Sequence, residues 1–388
     1  MKSILNIAVR EFRIILKSKL LLFLLLAFPA ADFLLLGGIF MSGSLEELPI
    51  AVIDEDNSAL SRMIIRSFDS SADMQVKYRL SNINELKDYL IRQKVVLGLY
   101  IPRDFQNNIK RQKPQSLIVF TSASNYITAS IADAGANTII ATLEAGIKYQ
   151  ILSKKGFSHE EALALVQQIQ NDNMKLFNPA LNYHFYLTPG LWLSILHQLL
   201  ILFGALAIAK EFDMKTVSPM YETANKSVLK VLLGKTIFYT AVSFGHFEIL
   251  YRLIFPLFGI KFHHWSIAPI LFGLCFCIAS ISLGLLLSSV LKTQANAFKG
   301  VLLISAPAFL LSGYTYPISI MPKFLAVFVQ IIPLTPFLAG FKKIYHQDLG
   351  INYIYPYIVH LLILAIAFFA ASYILLRFRI EKGAENEN

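Results

Sequence analysis

The sequence predicts a mainly α polytopic membrane protein: six transmembrane helices with an inserted α/β extracytoplasmic domain. Three observations predict it. Only 15% of the 388 residues are charged while 55% are hydrophobic, against about 25% charged in a typical soluble protein. Several apolar runs approach or exceed the roughly 20 residues needed to cross a bilayer. Residues 41–187 then interrupt that pattern with a polar segment of mixed periodicity.

The first 19 residues, MKSILNIAVREFRIILKSK, place Leu5, Ala8, Phe12 and Ile15 at helical spacing, with Arg10, Arg13 and Lys17 on the other side. That pattern suits a helix lying at the membrane interface before the first span. The apolar run Leu20–Phe40 follows, interrupted by Pro29 and Asp32. It outlasts the roughly 7–15 apolar residues of a secretory signal, so an uncleaved anchor is expected. Residues 1–40 thus form the first segment.

Within 41–187 the chain alternates. LPIAVID (48–54) reads as a strand and NSALSRMIIRSF (57–68) as a helix capped by Asn57 or Ser58. A strand near 74–80, a helix over 83–92, a strand at 95–101, a helix over 102–111 and a strand at 116–121 continue the series. Ser124–Gln170 is helix-rich, and Ser158 with Glu161 forms a capping-box signature after Gly156. DEDNS (54–58) is not an EF-hand loop, because positions that need Gly and Glu hold Ala59 and Ile65. A strand-to-helix turn explains it.

Residues 188–388 carry five further spans, approximately 188–209, 231–257, 267–291, 299–313 and 357–376. Lys and Arg gather in four places: the first 19 residues, the loop 210–230, the loop 292–299 and the tail with Arg377, Arg379 and Lys382. Six spans put all four on one side, which the positive-inside bias makes the cytoplasm. Both termini are then cytoplasmic and the 41–187 domain faces outward. The same clustering accounts for the net charge of +10 through lipid headgroups rather than nucleic acid.

Two motifs invite chemistry and do not carry it, and one set of residues stays a candidate. VLLGKT (231–236) ends like a phosphate-binding loop, but the first glycine of G-x-x-x-x-G-K-[ST] would fall at Leu229. It reads instead as a small residue beside a positive membrane flank. Cys275 and Cys277 lie two apart in an apolar run with no further ligands beside them, so no metal site is expected. Asp32, His197, His246, Glu248 and Arg252 lie in or near apolar spans, where ionisable groups are functional candidates by default. Glu248 and Arg252 are four apart and can pair on one helical face.

Three stretches resemble a known family. They are REFRIILKSKLLLFLLLAFP (10–29), AKEFDMKTVSPMYETANKSVLKVLLGK (209–235) and PAFLLSGYTYPISIMPKFLAVFVQIIPLTPF (307–337). The chain resembles permeases of ABC-2 type exporters, specifically the subfamily with a large extracytoplasmic domain after the first span. IAVIDEDNSALSR (50–62), LGLYIPRDF (97–105) and FNPALN (177–182) are similar to that subfamily too. The loop after the second span resembles the family's Arg-Glu…Gly-Thr-Glu-Gln-Leu…Thr-Pro stretch, whose short helix docks on the ATPase. Lys210 stands for the Arg, Glu211 keeps the acid and Thr216 the Thr. Lys215 replaces the Gly, Ser218-Pro219-Met220 the Glu-Gln-Leu, and Thr223-Ala224 the Thr-Pro. Lys210, Glu211, Asp213, Thr216 and Glu222 are therefore the expected ATPase-coupling residues. Ser312, Gly313, Pro317, Met321, Pro322, Pro333, Leu334 and Thr335 match the family's Ser-Gly…Pro…Met-Pro…Pro-Leu-Thr segment. Read physically, Gly and Pro end the fifth span early and a re-entrant or surface element follows. Ser312, Gly313, Pro317 and Pro322, with Glu248, Arg252 and His246, are the expected path or gating residues.

The resemblance implies a transport subunit rather than an enzyme, without a cofactor or catalytic residue of its own. ATP and Mg would be bound by a separate ABC ATPase subunit, and a second permease copy or paralogue would complete a dimer. The expected setting is the bacterial cytoplasmic (inner) membrane, where a periplasmic adaptor is a further conceivable partner. The expected cargo is an amphipathic or hydrophobic compound, moved outward. A secondary transporter would show internal inverted repeats, and no two similar halves are visible. A receptor using 41–187 as sensor would need an output domain on the cytoplasmic side.

Overall fold

The computed structural model describes residues 2–17, 19–23, 28–40, 47–111, 113–122, 124, 126–166, 183–260, 267–345, 347 and 349–385. The chain divides into two compact units: residues 1–43 with 175–388, and residues 44–174.

The second unit begins at β1 (Leu48–Asp54), followed by α4 (Ala59–Asp69), β2 (Met74–Arg79), α5 (Ile83–Ile91), β3 (Leu97–Ile101), α6 (Phe105–Lys110), β4 (Ile118–Thr121), α7 (Tyr126–Lys154) and α8 (His159–Val166); α1–α3 precede it in the other unit. The strands form one sheet of order β2-β1-β3-β4. β1 is parallel to β2 and β3, and β4 is antiparallel to β3. Parallel pairing needs helical crossovers, and these cover both faces. Ile50, Val52, Leu97 and Leu99 pack with Ile64, Phe68, Ala132 and Ala136. Ala51, Ile53 and Val95 pack with Leu86 on the other face. Burial on both faces explains why LPIAVID is almost continuously apolar.

Local signals in this unit act where the sequence put them. Ser58 caps α4 by accepting from Ser61 N at 3.0 Å. Asp54 accepts from the backbone of Asp56 and Asn57 and from Ser61 Oγ, and Asp56 accepts from Gln106 N. The acids of DEDNS thus hold a strand-to-helix turn. Ser158 N and Oγ both donate to Glu161 Oε2, closing the box that starts α8.

The first unit opens with α1 (Lys2–Lys17), the short α2 (Lys19–Leu22) and α3 (Phe28–Phe40). After the α/β unit come α9 (Tyr183–Asp213), α10 (Val217–Thr223) and α11 (Val228–Ile249). A π turn over Leu250–Ile254 leads into α12 (Phe255–Leu257); then follow α13 (Ile267–Val290), α14 (Gln294–Leu311), α15 (Lys323–Phe328), α16 (Leu334–Tyr345) and α17 (Ile351–Glu385). Among the described residues five helices are long and apolar enough to cross a membrane, those at 184–213, 228–257, 267–290, 294–311 and 351–380. The expected first span, 20–40, is not one of them: α3 has 13 residues, about 20 Å of helix against a hydrocarbon core of about 30 Å, and residues 24–27 lie outside the described ones. FNPALN (177–182) and Lys382's side chain also lie outside the described residues or side chains. A bent pair, 323–331 with 334–345, meets at 86° and raises the number of candidate spans to six when taken as one.

That bent pair follows the break expected after the fifth span. α14 ends at Leu311, and Gly313 takes φ +79°, a left-handed turn that glycine adopts without penalty. Pro317 precedes a 3₁₀ turn, Pro322 precedes α15, and Pro333 stands between Ile332 and α16.

The centre of the unit is the crossing of α9 and α13. A Cβ on Gly204 would lie 2.5 Å from Ile281 O, and one on Gly284 would lie 2.3 Å from Ile201 O. The two backbones touch there, as small residues permit between apolar helices that gain little from the hydrophobic effect in lipid. Below that contact Phe276 stacks on Phe337 with centroids 3.9 Å apart, tying α13 to α16.

Gly284→Leu is expected to abolish the monodisperse peak of detergent-purified protein in size-exclusion chromatography, because the obstacle is backbone that cannot turn aside. Gly245→Ala, where nothing lies within 4 Å of the new methyl, is expected to elute unchanged.

Candidate functional site

The site is built where α1 crosses the start of α11. α1 buries Ile7, Glu11 and Ile15, one residue per turn of one face. That face, rather than the Leu5–Phe12 side, packs on the protein. A Cβ on Gly234 would lie 2.7 Å from Ile7 Cβ and 2.8 Å from Ile4 O. Gly234 therefore lets α1 approach until Glu11 meets the next residue of α11, Lys235. The GKT of VLLGKT is thus a helix-crossing glycine followed by a buried cation. Lys235 does not extend to a positive membrane flank, as its place in the sequence suggests, but is fully buried.

A burial this deep demands partners, and each group has them. Lys235 Nζ donates to Glu11 Oε1, to Glu211 Oε1 at 3.0 Å and to the carbonyl of Ala207 at 2.7 Å. Lys210 Nζ donates to Glu11 Oε2 at 2.6 Å and to the hydroxyl of Tyr239 at 3.0 Å. Tyr239 donates to Glu11 Oε2 at 2.9 Å. Arg10 grips Glu211 with both terminal nitrogens, at 2.6 and 2.8 Å, and Thr216 Oγ1 donates to Glu211 Oε2. Two carboxylates, three cations, a phenol and a hydroxyl form one connected network. Burial by itself would raise the carboxyl of Glu11, but Lys235 and Lys210 together hold it below its ordinary value. The hydrogen bonds to Glu211 keep the Arg10 guanidinium charged, against the cost of its own partial burial.

The network ties the end of α9, the start of α11 and α1 into one joint. The short α10 hangs from it. Met220 of α10 packs with Ile7, Ala224 and Val231, while Ser218, Pro219 and Glu222 stay exposed. The other basic segments reach the same end of the unit. Asp213 Oδ2 accepts from Gln294 Nε2 at 3.1 Å. Arg379 donates to the carbonyl of Ser289 at 3.1 Å, with its guanidinium 3.4 Å above the ring of Phe212.

The expected coupling residues therefore separate. Lys210, Glu211 and Thr216 belong to the joint, with Lys210 and Glu211 buried, so Glu211 does not present its acid to a partner's groove. Asp213 and Glu222 are exposed. Sequence reasoning missed Glu11 and Tyr239, and it set Lys235 aside. A signal for Glu11 was available: an acid flanked at four residues by Ile7 and Ile15, on the apolar side of an amphipathic helix.

The expected path residues do not form one cluster. Arg252 Nε donates to Glu248 Oε2 across the entrance to the π turn, and the Arg252 side chain is 43% exposed, so the pair lies on the outside of this unit rather than in its interior. His246 Nδ1 pairs with the Val242 carbonyl at 2.9 Å. His197 is buried with its ring over Phe276, and neither ring nitrogen has a hydrogen-bond partner among the described residues. Asp32 Oδ2 also lacks one among them. Ser312 Oγ donates to Phe309 O and accepts from Tyr314 N, closing the turn after α14. Lys342 Nζ donates to Gly313 O at 2.9 Å and lies over the ring of Tyr314. Ser312 and Gly313 thus shape a turn stapled to α16, and Pro317 and Pro322 each start a short helical turn beyond it.

A family model described as the ABC-2 family transporter protein matches residues 19–374. The chain belongs to that family. It is 24% identical over 332 residues to the probable multidrug ABC transporter permease YbhR of Escherichia coli (strain K12), covering 85% of this chain and 86% of that one. It is 25% identical over 363 residues to the linearmycin resistance permease protein LnrN of Bacillus subtilis (strain 168), covering 89% and 91%. It is 21% identical over 385 residues to the inner membrane transport permease YhhJ of Escherichia coli (strain K12), covering 98% and 97%. This ABC-2 protein is a permease subunit of an ABC transporter, and membership of the family implies an ABC ATPase as partner and a dimeric arrangement.

Lys235→Met leaves two buried carboxylates short of a cation and is expected to cost about 3–5 kcal/mol, read as a large fall in the apparent Tm in detergent. Adding Glu11→Gln is expected to recover much of that loss. Glu11 also gives the stability of this permease an acid limb. Its carboxyl is lower in the folded state than its ordinary 4.5, so its contribution is complete above the unfolded value and lost as pH falls through the folded one. A Glu11→Gln variant is expected to show a shallower fall in Tm between about pH 5 and pH 3 than the parent.

Proposed function

We propose that this permease forms the membrane half of an ATP-driven exporter that carries amphipathic or hydrophobic compounds out of the cytoplasm or the inner leaflet. The observation that carries the reading is the joint around Glu11 and Glu211. It ties the loop bearing α10 rigidly to three helices, so a push on the exposed face of α10 reaches α9 and α11 together. A buried, fully partnered network suits this work, since packed interiors transmit displacement rather than absorb it. The direction and the cargo are supported by the relatives: one is named a probable multidrug transporter and another a linearmycin resistance protein.

In this reading ATP and Mg are bound by the partner subunit, and Ser218, Pro219 and Glu222 on α10 meet it, with Asp213 beside them. The end holding α1, α10 and Arg379 faces the cytoplasm of a bacterial inner membrane, and the 41–187 domain is extracytoplasmic, where an adaptor could reach it. The Lys and Arg asymmetry supports that sidedness. The Glu248–Arg252 pair, half-exposed on this chain alone, then faces lipid or the second permease copy.

Glu222→Lys is expected to leave insertion and Tm unchanged while lowering export and the permease's stimulation of its ATPase several-fold, as loss of a contact worth about 1–3 kcal/mol would. Full stimulation by the variant would remove α10 from the contact. Sidedness is read separately. Both native cysteines are buried, so an impermeant thiol reagent added to intact cells is expected to label Ser153→Cys and to spare Ser218→Cys. The reverse pattern would invert the topology.

A further inference from the structure

α1 has three faces, and only one is used by the joint. Opposite Ile7, Glu11 and Ile15 run Leu5, Val9, Phe12 and Leu16, spaced four, three and four residues apart along one stripe. They are large and exposed, Leu5 by 64%, Phe12 by 52% and Leu16 by 51%. Beside that stripe, on the remaining arc of the helix, lie Lys2, Arg13 and Lys17, all exposed. No acid shares the exposed surface of α1: its single carboxylate, Glu11, is turned inward and neutralised by Lys210 and Lys235.

We infer that α1 is a binding surface for anionic phospholipid, with Leu5, Val9, Phe12 and Leu16 entering the headgroup–acyl boundary and Arg13, Lys17 and Lys2 pairing with lipid phosphates. A stripe of apolar residues bordered by cations is the arrangement that binds a negatively charged interface. The occupant is lipid rather than a protein groove because the face is one convex helical ridge, with the charge of one sign only along its edge. The fixed crossing at Gly234 matters here. It holds α1 beside the first turns of α11, so the stripe cannot turn inward to hide itself, and lipid is the apolar phase within reach. This goes beyond the transport reading, because it concerns lipid selection by α1 rather than cargo or ATP. It stands whether or not the chain exports anything.

The test uses the full-length chain in phosphatidylcholine vesicles, with an environment-sensitive fluorophore on Phe12→Cys. The two native cysteines are buried and leave the label specific. A small fraction of the lipid is spin-labelled phosphatidylglycerol in one sample and spin-labelled phosphatidylcholine in the other. Quenching by the phosphatidylglycerol probe is expected to be at least about twofold stronger, since even one basic side chain near the surface favours anionic lipid by about fivefold. Arg13→Gln with Lys17→Gln, both on exposed positions, is expected to bring the two quenchers level while leaving the quenching by phosphatidylcholine in place. Equal quenching in the parent would overturn the anionic preference. A probe that neither lipid quenches, or one that only an added ATPase shields, would overturn the lipid surface and assign the stripe to protein.

Discussion

Glu11 is the group on which this architecture turns. Taking a carboxylate out of water costs far more than any single hydrogen bond returns, and here the cost is met by two ammonium groups and a phenol from two other helices. The dependence is mutual for Lys210, whose hydrogen-bonded carboxylate among the described residues is Glu11, while Lys235 shares its charge between Glu11 and Glu211. The mutual dependence fixes the rotation of α1, α9 and α11 about their own axes, which apolar contacts between smooth helices leave loosely determined. The aromatic and glycine contacts further along α9 and α13 then pack helices whose azimuth is already set.

The two units are held by different physics. In residues 44–174 the sheet is covered on both faces and α4, α5 and α8 start at side-chain caps, so burial from water and local hydrogen bonding suffice. In the helical unit most outward side chains are apolar, and the discriminating contacts are the scarce ones: Gly204 against Gly284, Lys342 on Gly313, the charge network. A loss at any of these is a loss of specificity as well as of energy.

How much of this could be read beforehand follows the distance in sequence between partners. The turn at DEDNS, the Ser58 cap and the Ser158–Glu161 box are legible because donor and acceptor lie within a few residues. The alternation of strands and helices was legible for the same reason, as was the break at Gly313. Glu11 pairs with Lys210 and Lys235 across 199 and 224 residues, and no local pattern announces that meeting. Glu211 was placed on a docking surface because its neighbours in sequence lie on a loop; its side chain points back to Arg10. The smallness of Gly234 was legible, but not the helix it admits. Hydropathy counts 20–40 as one run, and the described residues show its two ends as helix, α2 to Leu22 and α3 from Phe28.

The π turn at Leu250–Ile254 has a consequence of another kind. Such a turn houses one residue more than an α-helix of equal length. Everything beyond it, including Phe255 with its stack on Trp192 at 5.6 Å, keeps its bearing only because that extra residue is counted in. Removing one residue between Glu248 and Pro256 would let the backbone relax into regular helix and would swing Phe255 by about 100° away from Trp192. At this point of the chain the quantity held constant is therefore a number of residues. Side chains along the bulge can be exchanged at modest cost, whereas a one-residue deletion there would unmake the aromatic seam between α9 and α12 without altering a single member of it.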